Sequence, residues 1–268
     1  QSYEDARRIA LEIDDKLGAN TAVGNMGNAH LTLGHYPQAL ACYMEKLSSA
    51  VELGYQLGVG IAVGNMGLIY FERGDDYSAL QCYVLSLKVG LLLGDRLGVA
   101  IALWNVARVQ MAEQQYMEAE ANLQRAVDIG RAIDTPYELC EFLYTLAELH
   151  LLRGHLLPAR GINGQALDMS AEVERDYVRI RALLLEREIC LAMGEISRSE
   201  ALASLEALLP DWPGDEDQAA IHFNCWRAEP GQETHRQAAA GLYARLFEAT
   251  PNIEYAHRYR ELTGQGLP

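Results

Sequence analysis

Gly24-Asn25-Met26-Gly27 recurs forty residues later as Gly64-Asn65-Met66-Gly67. Self-similarity at a fixed offset decides architecture before any local propensity does. The same offset links Leu17-Gly18, Leu57-Gly58 and Leu97-Gly98, and it aligns Ala39, Ala79, Ala119 and Ala159. Gly34, Gly74, Gly154 and Gly194 form another column, interrupted by Gln114. Cys42-Tyr43 and Cys82-Tyr83 form a third, continued backwards by Ser2-Tyr3 and rejoined by Leu242-Tyr243.

Each forty-residue unit reads as two helices. From Gly58 to Arg73 the apolar residues Ile61, Val63, Met66, Ile69 and Tyr70 keep helical spacing, and Gly74 supplies the left-handed residue that ends a helix. A second helix is expected from Tyr77 to Leu93 through Ala79, Leu80, Tyr83, Leu87 and Leu91, until Gly94-Asp95 breaks it. No stretch alternates with period two, so no strand is assigned. A hairpin of this size cannot bury its apolar faces alone, and the small residues in the Gly27/Gly67/Ala107/Ala147 column let helices approach closely, so the hairpins are expected to stack.

The chain around these repeats has 268 residues, a hydrophobic fraction of 50% and eight prolines, which supports a real core and excludes disorder as the main state. Lys and Arg number 22 against 37 Asp and Glu, a formal charge of -15. That balance argues against a phosphate-binding face, hence against nucleic acid and an anionic membrane as partners. The most apolar stretch, Leu97 to Ala107, is 11 residues long and contains Asn105, against the roughly 20 that span a bilayer. Five widely spaced cysteines (Cys42, Cys82, Cys140, Cys190, Cys225) without a CxxC pair fit reduced thiols used as small apolar fillers, which implies a cytoplasmic setting.

These columns resemble the tetratricopeptide repeat (TPR), whose pattern places Leu-Gly in the first helix, Gly before the turn, and Ala and Tyr in the second. The resemblance runs from Tyr3 to about Ser204 and implies an all-α, right-handed α-solenoid of stacked antiparallel hairpins. Forty residues against the usual 34 adds about 9 Å of helix per unit. This long form, with Asn25-Met26-Gly27-Asn28 and Gly94-Asp95-Arg96-Leu97-Gly98, is similar to arrays of LGN-type polarity adaptors and of bacterial signalling proteins such as regulatory ATPases and adenylate cyclases.

Residues 1–14 are expected to be the second helix of a repeat whose first helix lies upstream, since Tyr3 occupies the Tyr43/Tyr83 column and the chain opens without Met. An upstream domain of the same chain is thus an expected partner. Five repeats are expected over 15–209, beginning near Asp15, Tyr55, Asp95, Thr135 and Arg175. Residues 210–268 read as a breaker-rich linker, Pro210 to Asp215, then a degenerate sixth pair, Glu216 to Ala228 and Thr234 to Ala249, then a polar capping helix, Ile253 to Leu262. The tail resembles bacterial regulators more than animal adaptors.

The sequence carries no GxxxxGK[ST], GxSxG or HExxH motif. Gly58-Val59-Gly60 lacks a preceding strand, and His30 and His150 share a packing column with Tyr70, Gln110 and Cys190. His222 and Cys225 supply two metal ligands where a site needs three or four. No cofactor, metal or catalytic group is expected. The TPR resemblance instead implies a concave wall built by the first helices, which binds a peptide or protein segment. On that wall it places Asn25, Asn28, Asn65, Phe71, Trp104, Asn105, Arg108, Glu141, Tyr144, Glu148 and Arg181. Asn25, Asn65 and Asn105 form a ladder whose amides suit the backbone of an extended chain; the competing reading is that they brace adjacent repeats. Two further roles stay open: a small-molecule sensor with an aromatic pocket of Phe71, Trp104, Met111 and Tyr144, and a structural or oligomerisation arm.

Overall fold

The computed structural model describes residues 2–267. They form fourteen α-helices, with no strand among them. The chain packs as two compact units, Gln1–Glu113 and Gln114–Pro268. The first holds α1 (Ser2–Glu12), α2 (Lys16–Thr32), α3 (Tyr36–Glu52), α4 (Gln56–Glu72), α5 (Asp76–Leu93) and α6 (Arg96–Ala112). The second holds α7 (Tyr116–Ile133), α8 (Pro136–Leu152), α9 (Leu156–Glu172), α10 (Asp176–Ala192), α11 (Arg198–Glu206), α12 (Asp215–Ala228), α13 (Glu233–Ala249) and α14 (Ile253–Thr263). Within the first unit consecutive helices pair, and α2 touches α4 as α4 touches α6, so the hairpins stack.

The turns keep a stricter period than the repeats. A left-handed residue falls every twenty positions from Asp14 to Gly194: Gly34, Gly54, Gly74, Gly94, Gly154 and Gly194 share the series with Asp14, Gln114, Asp134 and Glu174. At the α4/α5 turn the Gly74 N–H donates to Phe71 O at 2.9 Å and the Asp75 N–H to Tyr70 O at 2.9 Å, which satisfies the last carbonyls of α4. Glycine adopts this backbone at no steric cost; Gln114 and Glu174 hold it only because flanking helices fix both ends of the turn. Asp15 and Asp95 then start the next helix, their carboxylates accepting the N–H of Gly18 (2.8 Å) and Gly98 (3.0 Å). A Cβ at Gly18 or Gly98 would lie 2.2 Å from the capping carboxylate, which explains the repeated Leu-Gly pair.

The two glycines of each Gly-Asn-Met-Gly stretch face one helix. A Cβ at Gly27 would stand 2.5 Å from the Tyr43 ring and one at Gly24 2.9 Å from the Lys46 stem; Gly67 meets Tyr83 at 2.7 Å and Gly64 meets Ser86 at 3.3 Å. The first helix therefore lies flat against the second, and Tyr43, Tyr83, Ala39 and Ala79 are fully buried. Tyr43 packs onto Ile69 of the next repeat, and Tyr83 onto Val106 and Val109 of α6. Lys46 is buried with its Nζ 3.1 Å from Asn20 Oδ1.

The two tyrosines differ at the hydroxyl. Tyr43 donates to Asn28 Oδ1 at 2.7 Å. Tyr83 belongs to a repeat with Leu68 in the Asn28 column, and its hydroxyl is buried without a hydrogen-bond partner among the described residues. Tyr43→Phe should accordingly cost about 1 kcal/mol in urea denaturation, whereas Tyr83→Phe should be neutral or stabilise by up to about 1 kcal/mol.

In the second unit Ala147, Ala159, Leu185 and Ile189 join the fourth and fifth repeats. The second helix of the fifth repeat is shorter than its counterparts: α11 has 9 residues. It opens with a capping box, Ser197 Oγ accepting the Glu200 N–H (3.2 Å) and Glu200 Oε2 accepting the Ser197 N–H (2.8 Å). Leu208 lies in the turn after it and packs against the cluster of Ile180, Leu184, Leu205, Ile221 and Cys225. The breaker-rich stretch is tied down by Gln218, which donates to Leu209 O (2.8 Å) and Trp212 O (2.6 Å).

Candidate functional site

The eleven candidate wall residues divide between the units, seven in the first and four in the second. In the first unit Asn65 Nδ2 donates to Asn28 Oδ1 at 3.2 Å, and the Tyr43 hydroxyl shares that acceptor. Asn28 and Asn65 thus join the first repeat to the second, the bracing role left open by the sequence. Asn105 is buried and its Oδ1 stands 3.5 Å from Arg108 Nη1, while Asn25 is half-buried on α2. The Arg108 guanidinium lies over both Phe71 (4.5 Å) and Trp104 (4.8 Å). The aromatic surface is therefore a cation–π stack, with the charge spread over two ring faces.

In the second unit the first helices α8, α10 and α12, with α13 and α14, line an open cavity of about 510 Å³. Tyr144, Glu148 and Arg181 line it; Glu141 does not, and pairs instead with Arg175, which stacks on Tyr137 at 3.7 Å. The lining carries five carboxylates (Glu148, Glu188, Glu216, Glu254, Glu261) and three guanidiniums (Arg181, Arg227, Arg258). Arg227 closes on Glu188 at 2.5 Å, and Arg258 lies over Phe223 at 4.5 Å. Arg181 stands 3.7 Å from Glu216 and 3.8 Å from Glu254, beyond hydrogen-bond length, so its fork keeps donors for a third acceptor. Burial works against its charge, but Tyr177, Glu254, Tyr144 and Glu216 hold its pKa well above the ordinary arginine value. Burial likewise pushes the Tyr144 phenol well up, with Glu148 adding to it, which keeps the hydroxyl a neutral donor.

Sequence reasoning did not single out Glu216, Glu254, Tyr255 or Arg258. The signal was present in α14: Tyr255, Tyr259 and Leu262 recur at i, i+4 and i+7 and pack on Phe223 and Tyr243, which turns Glu254, Arg258 and Glu261 toward the cavity.

His222 lies outside this cavity. Its Nδ1 is 2.7 Å from Nδ1 of His235, whose Nε2 is 3.0 Å from Glu206 Oε1, and among the described residues no group of three or more ligating side chains is arranged for a metal. Two ring nitrogens at that distance require one donor and one acceptor. Burial lowers the pKa of His222, with His235 adding to the effect, and burial lowers His150. The folded state resists protons that the unfolded chain accepts near pH 6.5, so this stability is complete above about pH 6.5 and lost as pH falls below it. The melting temperature should drop between neutral pH and about pH 5.5, and His222→Gln should flatten that dependence.

A stacked hairpin array with short left-handed turns defines a repeat protein of the tetratricopeptide type, an all-α solenoid. No family model matches the chain, and no curated protein matches it. Solved structures show the same fold. Aspartyl phosphate phosphatase F from Bacillus subtilis superposes with a TM-score of 0.71 at 10% identity over 92% of this chain, which spans 63% of that protein's length. The Rap conjugation gene regulator of the plasmid pLS20, in complex with the Phr* peptide, gives 0.68 at 13% identity, covering 94% of this chain and 75% of the other. A chain described as a kinesin light chain with nearly identical TPR-like repeats, from Podosopora anserina, gives 0.56 at 14%, covering 72% and 96%. Identities this low carry the fold and no more.

Proposed function

We propose that this chain is a peptide- or protein-binding repeat module of a cytoplasmic, bacterial signalling protein, without catalytic activity of its own. An extended peptide segment seats in the cavity of the second unit, its carbonyl or carboxylate oxygens on Arg181, its apolar side chains against Tyr144 and Leu151, and its cations beside Glu148 and Glu261. The observation that carries this reading is the half-buried Arg181 held between two glutamates without closing on either. The solved complex of a similarly folded regulator with its Phr* peptide supports it. Burial raises the thiols of Cys140 to about 11 and Cys225 to about 12, which keeps both protonated and argues for inert fillers rather than nucleophiles. Among the described residues no helix is long and apolar enough to cross a membrane.

Peptides selected from a displayed random library against the full chain, then measured by fluorescence anisotropy, test the proposal. Arg181→Gln should weaken them about tenfold to a hundredfold, the worth of a charge-assisted hydrogen bond. Asn65→Ala should lower the melting temperature and leave that affinity alone. Failure to select any binder, or equal binding to Arg181→Gln, overturns the assignment.

A further inference from the structure

The first unit carries a second surface, built by the segments in which each second helix hands over to the next first helix. Leu11, Val51 and Leu91 occupy one repeat column there, and Ile13, Leu53 and Leu93 another. Leu17 and Leu57, the leucines of the Leu-Gly pairs, continue the surface onto α2 and α4. All eight are exposed, from 38% for Leu57 to 70% for Ile13. Scattered exposed leucines are ordinary, but three successive handovers with the same apolar columns make a continuous strip along one edge, which marks an interaction surface. The second unit treats these columns differently. Its handovers carry Arg131 and Ala171 in the first column and keep Ile133 and Val173, both half-buried, in the second, while the exposed tyrosines at the Leu17/Leu57 position, Tyr137 and Tyr177, lie under Arg175 (3.7 Å) and Arg181 (4.5 Å).

We propose that this strip docks a basic amphipathic helix of a partner protein. Two observations choose the occupant. The strip is edged by Glu12, Asp14, Asp15, Glu52 and Asp95 against Lys16, Arg96 and Arg8, the last already paired with Glu12 at 3.0 Å, so the rim keeps an acidic excess and its complement is an apolar stripe flanked by Lys or Arg. A second copy of this chain would bring like-charged rims together. The spacing also fits a helix. The first helices of successive repeats touch directly, and packed helices lie about 8–10 Å apart, so the apolar columns recur at about the 10.5 Å that separates residues i and i+7 along one helix face.

The probe is a synthetic, fluorescein-labelled helical peptide with leucine at heptad positions a and d and lysine on its other faces, titrated into the full chain at low and at physiological salt. A peptide of the same composition in scrambled order controls for bulk charge. We expect saturable binding of the patterned peptide only. The double variant Leu53→Gln/Leu93→Gln should weaken it about tenfold or more, because two apolar contacts are lost while charge and fold are kept. Circular dichroism and melting temperature verify the fold, and single variants at Leu17 and Leu57 substitute if that pair unfolds. Equal binding of both peptides, or equal binding to the variant, overturns the proposal. So does sedimentation showing a wild-type dimer that the double variant dissolves, since the occupant is then a second copy.

Discussion

Gly27→Ala should destabilise the protein by about 1–2 kcal/mol, although alanine is the better helix former by roughly 0.5–1 kcal/mol. The new Cβ would meet the Tyr43 ring at 2.5 Å, inside any real contact, and Tyr43 is fully buried and cannot swing away. Overpacking of this kind costs about 1–3 kcal/mol, more than the propensity gain. The sign is the test, and α9 supplies the control. Gly161 is helical with nothing within 4 Å of a built Cβ, so Gly161→Ala should stabilise by about 0.5–1 kcal/mol. Tyr43→Leu in the same chain as Gly27→Ala should lose less than the two single changes added, as expected of residues in contact. The third repeat hints at this exchange, with Ala107 and Leu123 in the two columns. Urea denaturation of the four variants decides it; a stabilising Gly27→Ala would mean that the helices do not pack this closely.

Ending the chain after Leu209 should have the largest effect of all. That cut removes Ile221 and Cys225 from the cluster that buries Ile180, Leu184 and Leu205. At about 1.5–3 kcal/mol for each large apolar side chain returned to water, the loss is roughly 5 kcal/mol, within the 5–15 kcal/mol that holds an ordinary domain together. The shortened chain should melt much earlier and associate with rising concentration through its bared face. A monomeric product as stable as the parent would show that α12–α14 close nothing.

The helices and their ends were legible because each depends on neighbours in sequence: a left-handed glycine, a capping aspartate, an apolar stripe. The small-residue columns also announced where helices meet. They did not announce which residue they meet, since the pairing of Gly27 with Tyr43 and Gly24 with Lys46 depends on the crossing of two helices. The asparagines are a sharper case. Their equal spacing is visible in the sequence, yet Asn65 bonds Asn28 while Asn105 stands beside Arg108, because the residue in the Asn28 column changes from Asn to Leu to Arg along the array. The second-unit cavity was half legible: the TPR resemblance placed Tyr144, Glu148 and Arg181 on one wall, but Glu254 and Arg258 reach it only because α14 folds its tyrosines onto α12 and α13, outside the repeat pattern.

The twenty-residue beat of left-handed turns bears on how such a chain changes length. Gly54 and Gly94 hold nearly the same backbone angle, φ 65° and 67°, at equivalent handovers. Excising residues 55–94 would splice two junctions of one shape and would carry away Gly67 together with Tyr83, leaving Arg108 to exchange the Phe71 ring for Leu31. Tyr43, which rests on Ile69, would then face Val109, the apolar residue forty positions on. Geometry at the seams and chemistry across them are both conserved by a whole-repeat deletion or duplication. Gain or loss of a forty-residue block by unequal crossing-over is therefore expected to leave a folded protein and to change the length of the array.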